Sequence, residues 1–154
     1  MDFFIDNLPS VLTVTGIFMA IVLSGIGSAK GGAMIGKAAA ALISEQPEKF
    51  GPSLVLQMMS ASQGLYGFIV GFMIFMNMGG DDLDIILALR FLAAGAIIGV
   101  AGLVTAFHQS AAATAGIQIL AKKPEHFTKG VLYSAMIETY AIFAFVISVL
   151  IVLM

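Results

Sequence analysis

Residues 46–50 read QPEKF and residues 123–127 read KPEHF, two similar polar stretches that lie 77 residues apart in a chain of 154. The same shift, without a gap, superposes identical residues in the segments around both stretches. Examples are the pairs Leu12 and Leu89, Gly25 and Gly102, Ala29 and Ala106, Met59 and Met136, and Phe68 and Phe145. The repeat predicts a tandem duplication, with one unit in residues 1–77 and the other in residues 78–154.

Apolar residues dominate the chain outside three short polar stretches. Hydrophobic residues make up 60% of the sequence and charged residues 10%, against about 45–50% and about 25% in soluble domains. The apolar segments are residues 8–43, 51–78, 85–121 and 127–154. As helices they would be about 54, 42, 55 and 42 Å long, longer than the roughly 30 Å hydrocarbon core of a bilayer. The sequence therefore predicts an all-α membrane protein with four transmembrane helices, arranged as two helical hairpins.

The distribution of charge predicts how these helices are oriented. Lysines concentrate in or near the first and third connections, whereas the N-terminus and the second connection are acidic. Cytoplasmic loops carry an excess of Lys and Arg, so we expect the loops around residues 44–50 and 122–129 to be cytoplasmic and both termini to lie outside. Asp2 and Asp6 stand where a secretory signal would carry cations, so the first segment should remain as a membrane helix.

Composition also excludes several classes of function. The net charge of −2 offers no basic patch for nucleic acid, and zero Cys with two distant His disfavours a thiolate catalyst or a zinc site. Residues 31–38, GGAMIGKA, resemble a phosphate-binding loop, but Ala38 replaces the required Ser or Thr and no strand precedes it. We expect this chain to bind no nucleotide.

Small residues line the first and third helices at short spacings, among them Gly25, Ala29 and Ala33, and Gly95 and Gly99. Small side chains let membrane helices approach closely. Packing within one four-helix unit would explain part of this pattern. Because both odd-numbered helices carry it over a long stretch, a homo-oligomer of tightly packed chains is favoured.

Glu138 is the only acidic or basic side chain in residues 130–154. A charge inside the membrane is costly and marks a functional site by default; the alternative is a protonated carboxyl that only bonds to a neighbouring helix. Measured from the 44–50 and 122–129 loops, Glu138, Ser62, Gln63 and Gln109 all lie about 16–20 Å into their helices. We therefore expect these side chains to meet.

Met59 and Tyr66 share one helix face with Ser62 and Gln63, at spacings i, i+3, i+4 and i+7. The set then contains a carboxylate, two amide carbonyls, a hydroxyl and the backbone carbonyl of Met59, which the side chains of Ser60 and Ser62 can free from helical bonding. Oxygen ligands suit a hard cation, and a single negative charge matches Na⁺. The two Gln could instead serve only to bond helices together, and Tyr66 could either donate to the carboxylate or be an interfacial aromatic.

Four stretches resemble the proteolipid (K/c) subunits of bacterial V-type ATPases, most closely their sodium-translocating branch. They are SGIGSAKGGAMIGKAAAALISEQPEKFG (24–51), LQMMSASQGLYGF (56–68), AGIQILAKKPEHFTKG (115–130) and AMIETYAIFAF (135–145). The resemblance implies that the family's ion ligands fall on Glu138, Gln63, Gln109, Ser62 and the backbone carbonyl of Met59. Ser62 stands where the pattern has Thr, and Ser60-Ala61 where it has Pro-Gly, so the pair that would unwind the helix in the pattern is absent here.

The resemblance also implies a ring of identical chains in membrane lipid, turning against a stator subunit whose Arg displaces the ion. Other subunits would hydrolyse ATP, so the chain by itself is no enzyme, and the two cytoplasmic loops would contact the central stalk. The 77-residue shift places Ala61 opposite Glu138. The first hairpin therefore lacks an ion carboxylate.

Three other functions fit parts of the pattern. A ring of the same kind would carry H⁺ if desolvation kept Glu138 protonated, but it would not need two Gln and a hydroxyl at the same depth. A small four-helix proton-coupled antiporter with one membrane Glu would need a substrate cavity and no duplication. A purely structural, lipid-packed oligomer would not need Glu138.

Overall fold

The computed structural model describes residues 2–79 and 83–154, and this part of the chain consists of helices joined by turns. The α-helices are α1 (Asp2–Phe18), α2 (Ser24–Glu45), α3 (Phe50–Met58), α4 (Ser62–Asn77), α5 (Ile85–Lys122) and α6 (Phe127–Leu153). A π-helical turn, Met19–Leu23, joins α1 to α2, and 3₁₀ turns at Pro47–Lys49 and Pro124–His126 precede α3 and α6. Part of the predicted acidic connection, residues 80–82, lies outside the described residues.

Four of the resulting helical stretches are long and apolar enough to cross a membrane. We call them the first to fourth spans: Asn7–Glu45, Pro47–Asn77, Ile85–Lys122 and Pro124–Leu153. The predicted all-helical fold with four spans is confirmed. We call the end of the bundle that carries the two 3₁₀ turns the loop end.

The same local chemistry reverses the chain at both turns of the loop end. Gln46 leaves the helical region with φ −135° and ψ 71°, and Lys123 does so with φ −144° and ψ 69°. Each precedes a proline, whose ring disfavours helical geometry in the residue before it. Lys49 reaches across from the first turn, and its Nζ donates to the carbonyls of Leu120 at 2.8 Å and Ala121 at 2.9 Å. A cation thus stabilises the C-terminal end of the third span.

The first and third spans pack backbone against backbone. A Cβ added to Gly95 would collide with the carbonyl of Gly16, and one added to Gly99 would collide with the carbonyl of Met19 in the π-helical turn. Glycines are required at both crossings because any side chain would separate the helices. The second span packs against both of them, and the fourth span packs mainly against the third.

Two apolar clusters fill the bundle, with a polar layer between them. The cluster nearer the loop end comprises Ile35, Ala39, Leu42, Leu56, Ala113, Ile117 and Leu120. The cluster at the other end comprises Ala20, Val70, Ile74, Phe91, Ala94, Ile98 and Val152. Buried Ser24, Ser60, Gln63, Gln109 and Ser134 lie between them along the chain. Buried polar groups need partners, and this layer is where the candidate site lies.

Candidate ion-binding site

The second span is interrupted at residues 59–61, between α3 and α4. Across this break the backbone bonds shorten to i−3 steps: the Met59 N–H donates to the Leu56 carbonyl at 3.3 Å, and the Ala61 N–H donates to the Met58 carbonyl at 3.0 Å. The break occurs although Ser60-Ala61 replaces the Pro-Gly pair of the pattern. Among the residues described, the Met59 carbonyl is thus free of a backbone partner without the Pro-Gly pair of the pattern.

A contact from the first span supports the break. The Gly64 N–H, which in a continuous helix would donate to the carbonyl of Ser60, donates to the hydroxyl of Ser28 at 2.8 Å. This hydrogen bond to another span thus replaces the bond within the helix, because a buried backbone N–H needs an acceptor. The sequence analysis missed Ser28 because nothing in its own helix distinguishes it.

Three oxygen atoms converge at the break. The Ser62 hydroxyl lies 3.4 Å from the Met59 carbonyl oxygen and 3.4 Å from Oε1 of Gln63. Within the described residues no backbone N–H donates to the Met59 carbonyl. These oxygens therefore keep much of their capacity to accept a donor or to bind a cation.

A chain of hydrogen bonds connects the break to the fourth span. Nε2 of Gln63 donates to Oε1 of Gln109, and Nε2 of Gln109 donates to Oε2 of Glu138 at 3.4 Å. The Tyr66 hydroxyl donates to Oε1 of Glu138 at 2.9 Å. The structure thus brings together all six residues that the sequence singled out, with Met59 joined through the Ser62 hydroxyl. No direct hydrogen bond joins Ser62 to Glu138 among the described residues.

Burial differs along this chain of groups. Gln63 and Gln109 are fully buried, whereas Glu138 and Tyr66 are half-buried. The Tyr66 ring stacks on Phe145 with ring centroids 5.0 Å apart. The carboxylate is therefore the more exposed end of this chain of groups, and the two amides are enclosed by the bundle.

Ser134 is a second supporting residue that the sequence analysis missed. Its hydroxyl donates to the backbone carbonyl of Gln109 at 3.2 Å and so fixes the third span against the fourth. In the first hairpin the equivalent positions are Gln57 and Gly32, and Nε2 of Gln57 donates to the Gly32 carbonyl at 2.8 Å. The larger Gln57 side chain lies beside the space that a Gln109-like side chain would need. The first hairpin thus keeps the helix–helix contact and lacks counterparts of Gln109 and Glu138, whose positions are occupied by Gly32 and Ala61.

The arrangement has one negative charge surrounded by neutral groups. In the part of the chain that the structure describes, the carboxylate of Glu138 accepts only from the Tyr66 hydroxyl and the Gln109 amide. A carboxylate at this depth is stable when one monovalent cation or one proton neutralises it. The geometry therefore suits the binding of a single positive charge.

Comparison with known proteins agrees with the duplicated architecture. Residues 15–74 and 92–151 each match the family described as the C subunit of ATP synthase, and the two matches are offset by the predicted 77 residues. The predicted tandem duplication is thereby confirmed.

Individual relatives match over most of the chain. It is 53% identical over 154 residues to the K subunit of the V-type sodium ATPase of Enterococcus hirae, covering 99% of this chain and 98% of that one. It is 34% identical over 142 residues to the K subunit of the A-type ATP synthase of Methanocaldococcus jannaschii, covering 92% and 62%. It is 27% identical over 141 residues to the 16 kDa proteolipid of the human V-type proton ATPase, covering 92% and 90%. The chain belongs to the ATP synthase C subunit family of membrane proteolipids.

Proposed function

We propose that this chain is the rotor-ring subunit of a V-type ATPase and carries Na⁺ across the membrane as the ring turns. The observation that carries the proposal is the chain of groups from the Met59 carbonyl to Glu138. It combines one carboxylate with four neutral oxygen atoms that can act as cation ligands. The relative with 53% identity is a subunit of a sodium ATPase. The proposed ligands are Glu138, Gln63, Gln109, Ser62 and the backbone carbonyl of Met59, and Tyr66 supports Glu138 by its hydrogen bond.

The spacing of the oxygens is compatible with a hard cation as the transported ion. Around a cation with ligands at about 2.4 Å, neighbouring octahedral ligands lie about 3.4 Å apart. The Ser62 hydroxyl lies at this distance from both the Met59 carbonyl and Oε1 of Gln63. Na⁺ paired with Glu138 forms a neutral complex, whereas a divalent ion would leave a charge without a partner in the membrane.

In this proposal the chain itself catalyses no reaction. Other subunits hydrolyse ATP, an Arg of the stator subunit displaces the ion from Glu138, and the central stalk contacts the loop end at residues 44–50 and 122–129. The loop end is cytoplasmic and both termini lie outside the plasma membrane of a bacterium, as the lysine distribution favours. Residues 1–77 form the hairpin without a carboxylate and residues 78–154 the hairpin with Glu138.

A carbodiimide tests the identity of the ion, because it modifies a carboxyl group only when that group is protonated. Bound Na⁺ holds Glu138 ionised, so Na⁺ should slow the modification, and lower pH should speed it. At a Na⁺ concentration ten times the Kd, the unoccupied fraction and with it the rate should fall about tenfold. The measurement is the rate of Glu138 labelling in the purified oligomer, by mass spectrometry, across a series of Na⁺ concentrations at fixed pH.

K⁺ at the same concentration is the control, and it should protect much less because the site is built from few, closely spaced oxygens. A labelling rate that does not change over a wide range of Na⁺ concentration would assign the ring to H⁺ instead.

Ser28→Ala should weaken Na⁺ binding although the described hydrogen bond of Ser28 is to the Gly64 N–H, which is not a proposed ligand. The variant removes the acceptor of the Gly64 N–H, so this N–H is expected to return to the Ser60 carbonyl and close the break that presents Met59. Loss of one such bond is worth about 1 kcal/mol, or about a fivefold loss of affinity. The measurement is equilibrium binding of ²²Na⁺ to the purified oligomer.

Ser28→Thr keeps a hydroxyl and should retain most of the affinity. Ser44→Ala is the matched control, because the described hydrogen bond of the Ser44 hydroxyl stays within α2, to the Ala41 carbonyl. Equal affinity of the Ser28→Ala and Ser44→Ala variants would show that Ser28 does not support the break.

A further inference from the structure

Between the first and second spans, polar side chains and glycines form a line that runs from the loop end to the break at residues 59–61. We call this line the polar seam. It comprises Gln57 and Ser60 on the second span and Gly32 and Gly36 opposite them on the first. Counted from the start of α3, Gln57 lies about 10 Å and Ser60 about 15 Å into the span. The seam therefore ends at the break.

A cavity of about 190 Å³ lies at the loop end of the polar seam. Its lining includes Gly36 of the first span and Ser53 and Gln57 of the second. The Ser53 hydroxyl donates to the Phe50 carbonyl at 2.7 Å, and its oxygen can still accept a further donor. One water molecule needs roughly 10–15 Å³ of cavity volume, so this cavity is large enough for several.

Polar atoms along the seam are buried and lack partners within residues 2–79 and 83–154. Nε2 of Gln57 donates to the Gly32 carbonyl at 2.8 Å, but in this part of the chain Oε1 of Gln57 is buried and accepts no hydrogen bond. Ser60 is 1% exposed, and its hydroxyl has no partner among the described groups. Its carbonyl accepts no described backbone N–H, because the Gly64 N–H donates to Ser28. Buried groups of this kind are normally satisfied by protein or by ordered water.

The two glycines of the first span leave room beside these atoms. A Cβ added to Gly32 would lie 3.4 Å from the Ser60 hydroxyl and 3.5 Å from Nε2 of Gln57. A Cβ added to Gly36 would lie 3.2 Å from Oε1 of Gln57, and Gly36 also lines the cavity. The Ser60 hydroxyl therefore faces the space at Gly32, and Oε1 of Gln57 faces the space nearer the loop end.

We propose that the polar seam binds a row of water molecules that extends from the loop-end cavity to the Ser60 hydroxyl and so brings water to the break. Water both donates and accepts hydrogen bonds, so it satisfies the Gln57 amide oxygen and the hydroxyl and carbonyl of Ser60 together. The backbone at the break then keeps its partners whether or not an ion is bound. None of the proposed ion ligands belongs to the seam, so the inference does not depend on which ion the ring carries.

X-ray radiolysis of the purified oligomer tests the proposal, because it converts bound water into hydroxyl radicals that oxidise the nearest side chain. Ser60→Cys is the reporter, since the chain has no Cys of its own and thiols oxidise readily. The measurement is the oxidised fraction of Cys against X-ray dose, by mass spectrometry. We expect rapid oxidation at this position although Ser60 is buried.

Ser110→Cys is the matched control for the reporter. Ser110 is 0% exposed, and its hydroxyl donates to the Ala106 carbonyl at 2.6 Å, so no water is needed there. Its oxidation should be several times slower than that of the Ser60→Cys variant. Equally slow oxidation of the two variants would overturn the proposal.

Gly32→Ala should close the polar seam without a clash, since the added methyl group makes ordinary van der Waals contacts with Ser60 and Gln57. Combined with Ser60→Cys, it should remove most of the oxidation. Gly25→Ala is the control, because it makes the same change in the same helix where nothing lies within 4 Å of the added Cβ. It should leave the oxidation unchanged. Oxidation that persists in the Gly32→Ala background would show that water reaches Ser60 by another route and would overturn the seam.

Deuterium exchange of the backbone is a second measurement that needs no Cys. Residues 56–62 should exchange more slowly in the Gly32→Ala oligomer than in the wild type, and the Gly25→Ala oligomer should match the wild type. Equal exchange in all three would contradict the proposal.

Binding of ²²Na⁺ distinguishes water from a second cation in the seam. Two Na⁺ bound per chain, reduced to one by Gly32→Ala, would assign the seam to a cation and overturn the binding of water. Protection of Glu138 from carbodiimide by Na⁺, measured in the same preparations, tests the proposed function separately. Its failure would leave the oxidation of the Ser60→Cys variant as the test of the seam.

Discussion

Replacing Glu138 by Gln is expected to abolish Na⁺ transport and the ATP hydrolysis coupled to it, while the oligomer still assembles. The substitution keeps the size of the side chain and removes the only negative charge among the proposed ligands. Bound Na⁺ would then be an uncompensated charge in the membrane, which costs at least about 2.5–3.5 kcal/mol, or a loss of affinity of about 100-fold or more. The measurements are ²²Na⁺ uptake and ATP hydrolysis of the holoenzyme in vesicles, with native mass spectrometry of the extracted oligomer.

Glu125→Gln is the matched control, because it makes the same change of charge in an exposed turn at the loop end. It should leave Na⁺ binding unchanged. If the Glu138→Gln complex transported Na⁺ at the normal rate, the carboxylate would be structural and the proposed function would be wrong.

Gln109→Leu is expected to lower the affinity for Na⁺ by about 10- to 100-fold without preventing carbodiimide labelling of Glu138. Gln109 is fully buried, accepts from Gln63 and donates to Glu138. Leucine removes a proposed ligand and leaves buried polar groups without partners. A hydrogen bond to a charged group is worth about 1.5–3 kcal/mol, which corresponds to this range of affinity. The measurement is the Na⁺ concentration that halves the labelling rate.

Gln118→Leu makes the same substitution at an exposed position of the same helix, nearer the loop end, and should leave that concentration unchanged. Equal Na⁺ protection in the two variants would remove Gln109 from the ligand set and leave it as a contact between helices.

The fold could be predicted from the sequence because its determinants repeat and are local. Two Pro-Glu turns 77 residues apart fix where hairpins reverse, and uninterrupted apolar segments leave few alternatives to membrane helices. The meeting of Glu138 with Gln63 and Gln109 followed from equal depth, since helices of one bundle that start at the same level bring equal positions together.

The break at residues 59–61 was predicted only in part, from the ability of the Ser60 and Ser62 hydroxyls to free the Met59 carbonyl. The local residues lack the proline and glycine that usually interrupt a helix, and the bond that supports the break comes from Ser28, on another span. The π-helical turn at Met19–Leu23 is similar, because it lies where Gly99 of the third span approaches the backbone of Met19. Both irregularities depend on tertiary contacts, which a pattern within one helix does not contain.

The presence of Ala61 in place of a carboxylate in the first hairpin sets the number of ions that the proposed rotor carries per turn. A ring of such chains moves half as many ions per turn as a ring with the same number of hairpins that each carry a carboxylate. The energy released per turn is fixed by the ATP-hydrolysing subunits, so each ion receives about twice as much of it. Moving one charge against 100 mV takes about 2.3 kcal/mol. A rotor with one carboxylate per two hairpins can therefore transport ions against about double the opposing voltage, at half the ion current.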